Sequence, residues 1–165
     1  MSKIIFFDID GTLYDSRIGI PESTVNALNR LIANEHKIVM CTGRSKGMIP
    51  EEYFHMGFDG VILGAGTYVE YEGKILHQEL MTPEEVQTVI DWGKKQKIGI
   101  ILEGEKYGYY DLENTDDYYI AMKNKTEADC KTTLYPLNEA VDVPKWTYHH
   151  MELSKKPEIL SLIHI

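Results

Sequence analysis

The sequence predicts an α/β fold: the start of a parallel-sheet core, followed by an α+β module. Three observations predict it. Short apolar runs at residues 3–7, 37–41 and 61–63 each stop at a polar or glycine-rich turn, as strands buried on both faces of a parallel sheet do. A helical pattern lies between the first two runs, the arrangement of a crossover connection. After Thr67 the pattern changes to hairpins and a well-capped helix.

Each element follows from its own residues. The run at 3–7 is rich in Ile and Phe and ends in Asp8-Ile9-Asp10-Gly11-Thr12-Leu13. Pro21, Glu22 and Ser23 then open a helix, with Val25, Leu28, Leu31 and Ile32 on one face. The second strand runs into Thr42-Gly43-Arg44, and a short helix is predicted over 46–55. The third strand ends at Gly64-Ala65-Gly66. Residues 67–71 and 74–77 flank Glu72-Gly73 as a hairpin. Thr82 with Glu85 three residues on makes a capping box, and Val86, Val89 and Ile90 give its helix an apolar face. Residues 98–102 and 107–110 read as a second hairpin around Gly104. Pro136 and Pro144 punctuate a mixed region, and 158–165 reads as a last strand.

Composition narrows the function classes. At about 150 residues per domain, 165 residues amount to roughly one domain. A chain of this size buries about two-thirds of its unfolded surface without needing disulfides. Lys and Arg total 17 against 26 Asp and Glu, a net charge of −9. That charge repels polyphosphate backbones, so no nucleic-acid partner is expected. An anionic substrate must be drawn in locally, by a metal ion or by helix N-termini. Two cysteines, Cys41 and Cys130, suit a reducing cytosol. No apolar run is long enough for a membrane span, and the first one stops at Asp8 rather than continuing as a signal peptide. The expectation is a cytoplasmic protein without a membrane partner.

The residues with chemical potential sit where strands end. Asp8 and Asp10 are two apart, which in a strand places both carboxylates on one side. Open α/β sheets bind ligands at the C-terminal ends of their strands. Two close carboxylates repel, so either one is protonated or a cation lies between them. The first case provides a general acid, the second an electrophilic clamp for phosphate. Gly11 removes a side chain where an anion would approach backbone amides. An Asp-Gly pair alone is as often a solvated turn, but no matching strand follows Gly11. Thr42, Gly43 and Arg44 combine a hydroxyl, a bare backbone and a helix start, an anion site at the end of the next strand. Alone, Thr42 reads as a helix cap. Both turns on consecutive parallel strands face one crevice.

These residues resemble a known family. The segment Phe6-Phe7-Asp8-Ile9-Asp10-Gly11-Thr12-Leu13 resembles motif I of the haloacid dehalogenase (HAD) superfamily, and Cys41-Thr42-Gly43-Arg44 resembles its motif II. Gly19-Ile20-Pro21 and the Gly-Phe-Asp-Gly run at 57–60 are similar to the Cof-type sugar-phosphatase branch. The resemblance implies a HAD Rossmann-like core over residues 1–80 and a cap domain over 81–165. It implies a Mg²⁺-dependent phosphatase for a small phosphorylated metabolite such as a sugar phosphate. Asp8 would be the nucleophile, forming an aspartyl-phosphate, and Asp10 the general acid and base. Mg²⁺ would be held by the Asp8 carboxylate and the Asp10 carbonyl. Gly11, Thr42, Gly43 and Arg44 would bind the phosphoryl group or brace its loop.

The chain also departs from the family pattern. It contains no Gly-Asp dipeptide of the kind found in the family's acidic motif IV, and no motif III lysine is evident; Lys155 and Lys156 read as solvated cap residues. The expectation is a chain that stops inside the cap, with turnover near background and self-association through an incomplete sheet edge. The alternative function is an inactive truncated fragment or interaction module. His149 and His150, adjacent on a strand, would point to opposite faces and make a poor metal site. The tyrosines at 107, 109, 110, 118 and 119 read as half-buried strand residues, and Cys41 as a small buried hydrophobe.

Overall fold

The computed structural model describes residues 1–149. Its first unit is a five-stranded sheet, β1 (Ile4–Phe7), β2 (Lys37–Cys41), β3 (Gly60–Leu63), β4 (Tyr68–Tyr71) and β5 (Lys74–Gln78), in sequence order across the sheet. The first three strands are parallel and the last two antiparallel. Helix α1 (Glu22–Ala33) makes the crossover from β1 to β2 and buries Leu28 against Leu13 and Ile38. Each such side chain removed from water contributes roughly 1.5–3 kcal/mol. At the β4–β5 turn Glu72 and Gly73 both take positive φ, at 49° and 74°, the backbone that tight hairpins require.

Two features of this unit differ from the sequence reading. Strand β1 is not buried on both faces: Ile4 and Phe6 are each 58% exposed. Among the described residues it pairs only with β2, at the edge of the sheet, and none of them covers the face that carries Ile4 and Phe6. The helix over 46–55 is broken into a 3₁₀ turn, Lys46–Met48, and one helical turn, α2 (Glu51–Phe54). Pro50 is the cause, because it drives Ile49 to an extended φ, ψ of −116° and 127°.

The second unit is a four-stranded sheet in the order β8-β7-β6-β9, from β6 (Gly99–Glu103), β7 (Gly108–Tyr110), β8 (Leu134–Pro136) and β9 (Lys145–His149). Helix α3 (Pro83–Gln96) begins with the expected capping box: Glu85 N–H donates to the Thr82 hydroxyl at 3.2 Å, and Thr82 N–H donates to the Glu85 carboxylate at 2.7 Å. Its Val89 and Ile90 pack on Ile100 and Leu102 of β6. On the other face, α4 (Asp117–Cys130) packs Tyr119 and Cys130 with Ile101, Leu134 and Met48. The sequence reading left α4 inside its mixed region. Tyr118 and Tyr119 therefore lie on a helix rather than a strand, Tyr118 exposed and Tyr119 buried. The strand expected at 158–165 lies outside the described residues, as do His150, Lys155 and Lys156.

The period-two alternation of β6 and β9 matters most for the site. Ile100 and Leu102 face α3, so Ile101 and Glu103 face the first unit. Trp146 packs toward α3, so Lys145 and Thr147 share the opposite face with Glu103. The two units meet closely where Gly47 N–H donates to Gly104 O at 3.1 Å. A Cβ at Gly47 would lie 2.5 Å from the Lys106 and Tyr107 backbones, so this approach requires glycine.

Candidate active site

Asp8 and Asp10 follow β1 directly, and Ile9 between them is fully buried. Burying Ile9 turns both neighbouring carboxylates outward, and both residues are exposed. The loop is closed tightly, because Leu13 and Tyr14 N–H both donate to Ile9 O, at 3.0 and 2.9 Å. Gly11 takes φ 76° there, which a glycine adopts without strain.

Thr42 follows β2 and is buried, at 4% exposure. Its carbonyl accepts from Ala65 N–H at 3.2 Å, and its hydroxyl accepts from Arg44 N–H at 3.2 Å. The turn after β2 is thus anchored to the turn after β3.

Asp8, Asp10, Thr42, Gly43 and Arg44 line one cavity of about 440 Å³ between the two units. Gly11 does not line it; it borders a smaller adjoining hollow with Asp10 and Tyr14. The far wall comes from the second unit: Glu103, Lys145 and Thr147 from the sheet, and Met122, Lys125, Thr126, Asp129 and Cys130 from α4. The sequence reading named none of these wall residues as site residues. The signal for β9 was its alternation, Lys145-Trp146-Thr147. The α4 residues carried no comparable signal. None of the five tyrosines at 107–110 and 118–119 lines this cavity.

Arg44 is the hub of the site. Its Nε and Nη2 donate to Asp10 Oδ2 and Oδ1 at 2.8 and 2.6 Å, a bidentate pair. Nη1 donates to Met48 O, Asp129 O and Cys130 Sγ at 3.3 to 3.5 Å. The guanidinium also lies 5.6 Å from the Tyr14 ring centre. Burial is the largest influence and would lower its pKa, but the hydrogen bonds to Asp10, together with the nearby Cys130, Asp10 and Tyr53 groups, outweigh it and hold the pKa above its ordinary value. Burial pushes the Cys130 thiol up to about 11, so it is a neutral packing group at neutral pH. At Asp129 burial acts to raise the pKa, yet the bonds from Lys125 and the Tyr14 hydroxyl bring it below its usual value.

The oxygen atoms near Asp8 suit a hard cation. Asp8 Oδ1 accepts from Ile9 N–H at 2.8 Å, and Asp8 borders the cavity. The Asp10 carbonyl accepts no hydrogen bond among the described residues. One carboxylate and one carbonyl fit a cation that keeps several of its waters, as Mg²⁺ does. Among the described residues no three His, Cys, Asp or Glu side chains gather into a metal cluster.

The comparisons with known proteins decide the family. The haloacid dehalogenase-like hydrolase family matches residues 5–159. The chain belongs to that family. Phosphatase YwpJ of Bacillus subtilis (strain 168) is 26% identical over 129 residues, which is 77% of this chain and 42% of YwpJ. The structure of the HAD subclass IIB sugar phosphatase BT4131 superposes with a TM-score of 0.74 at 23% identity, over 99% of this chain and 64% of that one. A structure from a phosphoryl-transfer superfamily with a trigonal-bipyramidal intermediate superposes with a TM-score of 0.76 at 25% identity, over 99% and 64%. The chain spans half or less of the length of the curated relatives it matches.

Proposed function

We propose that this chain carries the nucleophile, acid–base and phosphate-loop half of a Mg²⁺-dependent phosphomonoester hydrolase for a small phosphorylated metabolite such as a sugar phosphate. The observation that supports it is the single cavity bordered by Asp8, Asp10, Thr42, Gly43 and Arg44. In this reading residues 1–80 are the core and 81–165 the cap.

The chemistry follows from the positions. A phosphomonoester lies with its phosphoryl oxygens against the Thr42-Gly43 turn. An Asp8 oxygen attacks phosphorus, the P–O bond to the leaving group breaks, and the carboxylate becomes an aspartyl-phosphate. Asp10 gives its proton to the leaving oxygen, then takes one from the water that attacks the aspartyl-phosphate, which releases phosphate and restores Asp8. A Mg²⁺ bound by Asp8 and the Asp10 carbonyl would offset the negative charge that nucleophile and substrate bring together. The cavity walls supply both signs of charge and the hydroxyls of Thr126 and Thr147, which suit a polyol leaving group. The two cysteines are both free, in keeping with a cytoplasmic location. The edge of β1, unpaired among the described residues, is the surface through which the chain would self-associate.

The test is Asp8→Asn. An amide cannot attack as an anion and is a poorer ligand for Mg²⁺. Any Mg²⁺-dependent hydrolysis of sugar phosphates or p-nitrophenyl phosphate by the chain, or by a longer protein containing it, should be abolished. A variant with wild-type turnover would overturn the mechanism.

A further inference from the structure

The predicted phosphate loop is gripped from the cap by one cation. Lys145, the first residue of β9, donates through Nζ to Gly43 O at 2.8 Å and to Glu103 Oε1 at 3.0 Å. Glu103 is only 6% exposed, and its second oxygen accepts from Ser45 N–H at 3.3 Å. Ser45 Oγ also donates to Gly104 O at 3.1 Å. Lys145 is therefore held by a buried carboxylate that is itself tied to the phosphate loop.

Among the described residues three cationic side chains border the cavity: Arg44, Lys125 and Lys145. Arg44 spends its donors on Asp10, Met48 O, Asp129 O and Cys130 Sγ. Lys125 pairs with Asp129, and its side chain is 65% exposed. Lys145 is 29% exposed, and an ammonium has three N–H donors, of which Gly43 and Glu103 take two. Within Gly43, covalent geometry sets O no more than about 3.6 Å from N, which puts Nζ within about 6.4 Å of the Gly43 amide. An oxyanion with hydrogen bonds of about 2.9 Å at each end spans roughly 8 Å. One bound phosphoryl group is therefore long enough to span both.

We propose that Lys145 is a substrate-binding residue of the cap: its third N–H takes an oxygen of the phosphoryl group seated on Thr42 and Gly43. In a chain of net charge −9, it brings a fixed positive charge to that anion from the opposite sheet. The inference rests on the phosphate site proposed above.

The experiment is calorimetric titration of the chain with inorganic phosphate, with and without Mg²⁺, each variant's fold being checked by circular dichroism and thermal melting. Lys145→Met and the hydrogen-bonding but uncharged Lys145→Gln should each weaken phosphate binding by about tenfold or more, whereas Lys145→Arg should stay within about threefold of wild type. Lys95→Met makes the same change of charge on exposed α3 and should leave binding unaltered. Thr42→Val should weaken binding whatever the role of Lys145. Wild-type affinity in a folded Lys145→Gln or Lys145→Met chain, with Thr42→Val impaired, would overturn the role of Lys145 alone. An equal loss in Lys95→Met would reduce it to bulk charge and overturn it as well. Absence of phosphate binding by the wild type, or indifference to Thr42→Val, would overturn the phosphate site itself.

Discussion

Arg44 holds both carboxylate oxygens of Asp10, at 2.8 and 2.6 Å, while its remaining amino group reaches the Asp129 carbonyl and Cys130 sulfur at the end of α4. One side chain thus joins the proposed acid–base residue to the proposed cap. While the pair is intact both oxygens of Asp10 are acceptors, so Asp10 must release at least one of them before it donates a proton. A shift of α4 relative to the core changes what Arg44 can hold.

Removing that grip should cost turnover more than binding. Arg44→Met leaves Asp10 without its orienting partner, and a misplaced catalytic group commonly costs about 10²-fold in rate. Arg44→Lys should rescue little, since an ammonium cannot make the bidentate pair or reach α4 at the same time. Steady-state kinetics on the chain or a longer protein containing it checks this. A Lys variant with wild-type kcat would show that the bidentate geometry is dispensable.

The first half of this site was legible because its chemistry is local. Asp8-Ile9-Asp10-Gly11 and Thr42-Gly43-Arg44 each put several functional groups within one turn, and their strands are marked by apolar runs. The opposite wall was not legible in the same way. Glu103, Lys145 and Asp129 are separate in sequence and meet only because β6, β9 and α4 pack together. Helix α4 buries Tyr119 and Cys130 without a continuous apolar stripe, so periodicity passes over it. Likewise the exposure of β1 depends on what stands beside it in the sheet, which an apolar run cannot convey.

The leaving group offers a separate test of Asp10. In Asp10→Asn the amide cannot give a proton to the departing oxygen, and general acid–base catalysis is commonly worth about 10²–10⁴-fold. An aryl oxide departs without protonation far more readily than a sugar alkoxide. Hydrolysis of p-nitrophenyl phosphate should therefore fall much less than that of sugar phosphates. Equal losses on both substrate classes would assign Asp10 a positioning role instead.

The second sheet has a site where a single methyl should not fit. A Cβ added at Gly99 would lie 2.2 Å from Tyr119 Cδ2. Tyr119 cannot easily yield: it is 1% exposed, its hydroxyl donates to Ile100 O at 2.8 Å, and it accepts from Asp111 N–H at 2.7 Å. Overpacking of this kind commonly costs about 1–3 kcal/mol, or a fall of roughly 2–12 °C in melting temperature for a chain of this size. Gly99→Ala should melt within that range below wild type. An unchanged melting temperature would mean that β6 and α4 are packed more loosely than the contact implies.

Acid should weaken the core sheet through Asp59. Lys37 Nζ donates to its Oδ1 at 2.7 Å and Ile38 N–H to its Oδ2 at 2.9 Å, tying the start of β2 to the residue before β3. The Lys37 bond is the main cause that lowers the Asp59 pKa; the Ile38 amide adds to it, and partial burial opposes both. A folded-state pKa below the unfolded value of about 3.9 means that the carboxylate stabilises the fold fully above that pH. The contribution then fades as pH falls through the lower folded value. The Asp59 side chain is 20% exposed and that of Lys37 42% exposed, so solvent screens the pair and its worth is about 1 kcal/mol. Asp59→Asn should therefore melt roughly 2–4 °C below wild type at pH 7. The gap should close as both proteins are taken from pH 5 toward pH 3, because the wild-type carboxylate loses its charge while the amide has none to lose. A gap that stays constant over that window would place the effect of the substitution in packing, not in the Lys37–Asp59 charge pair.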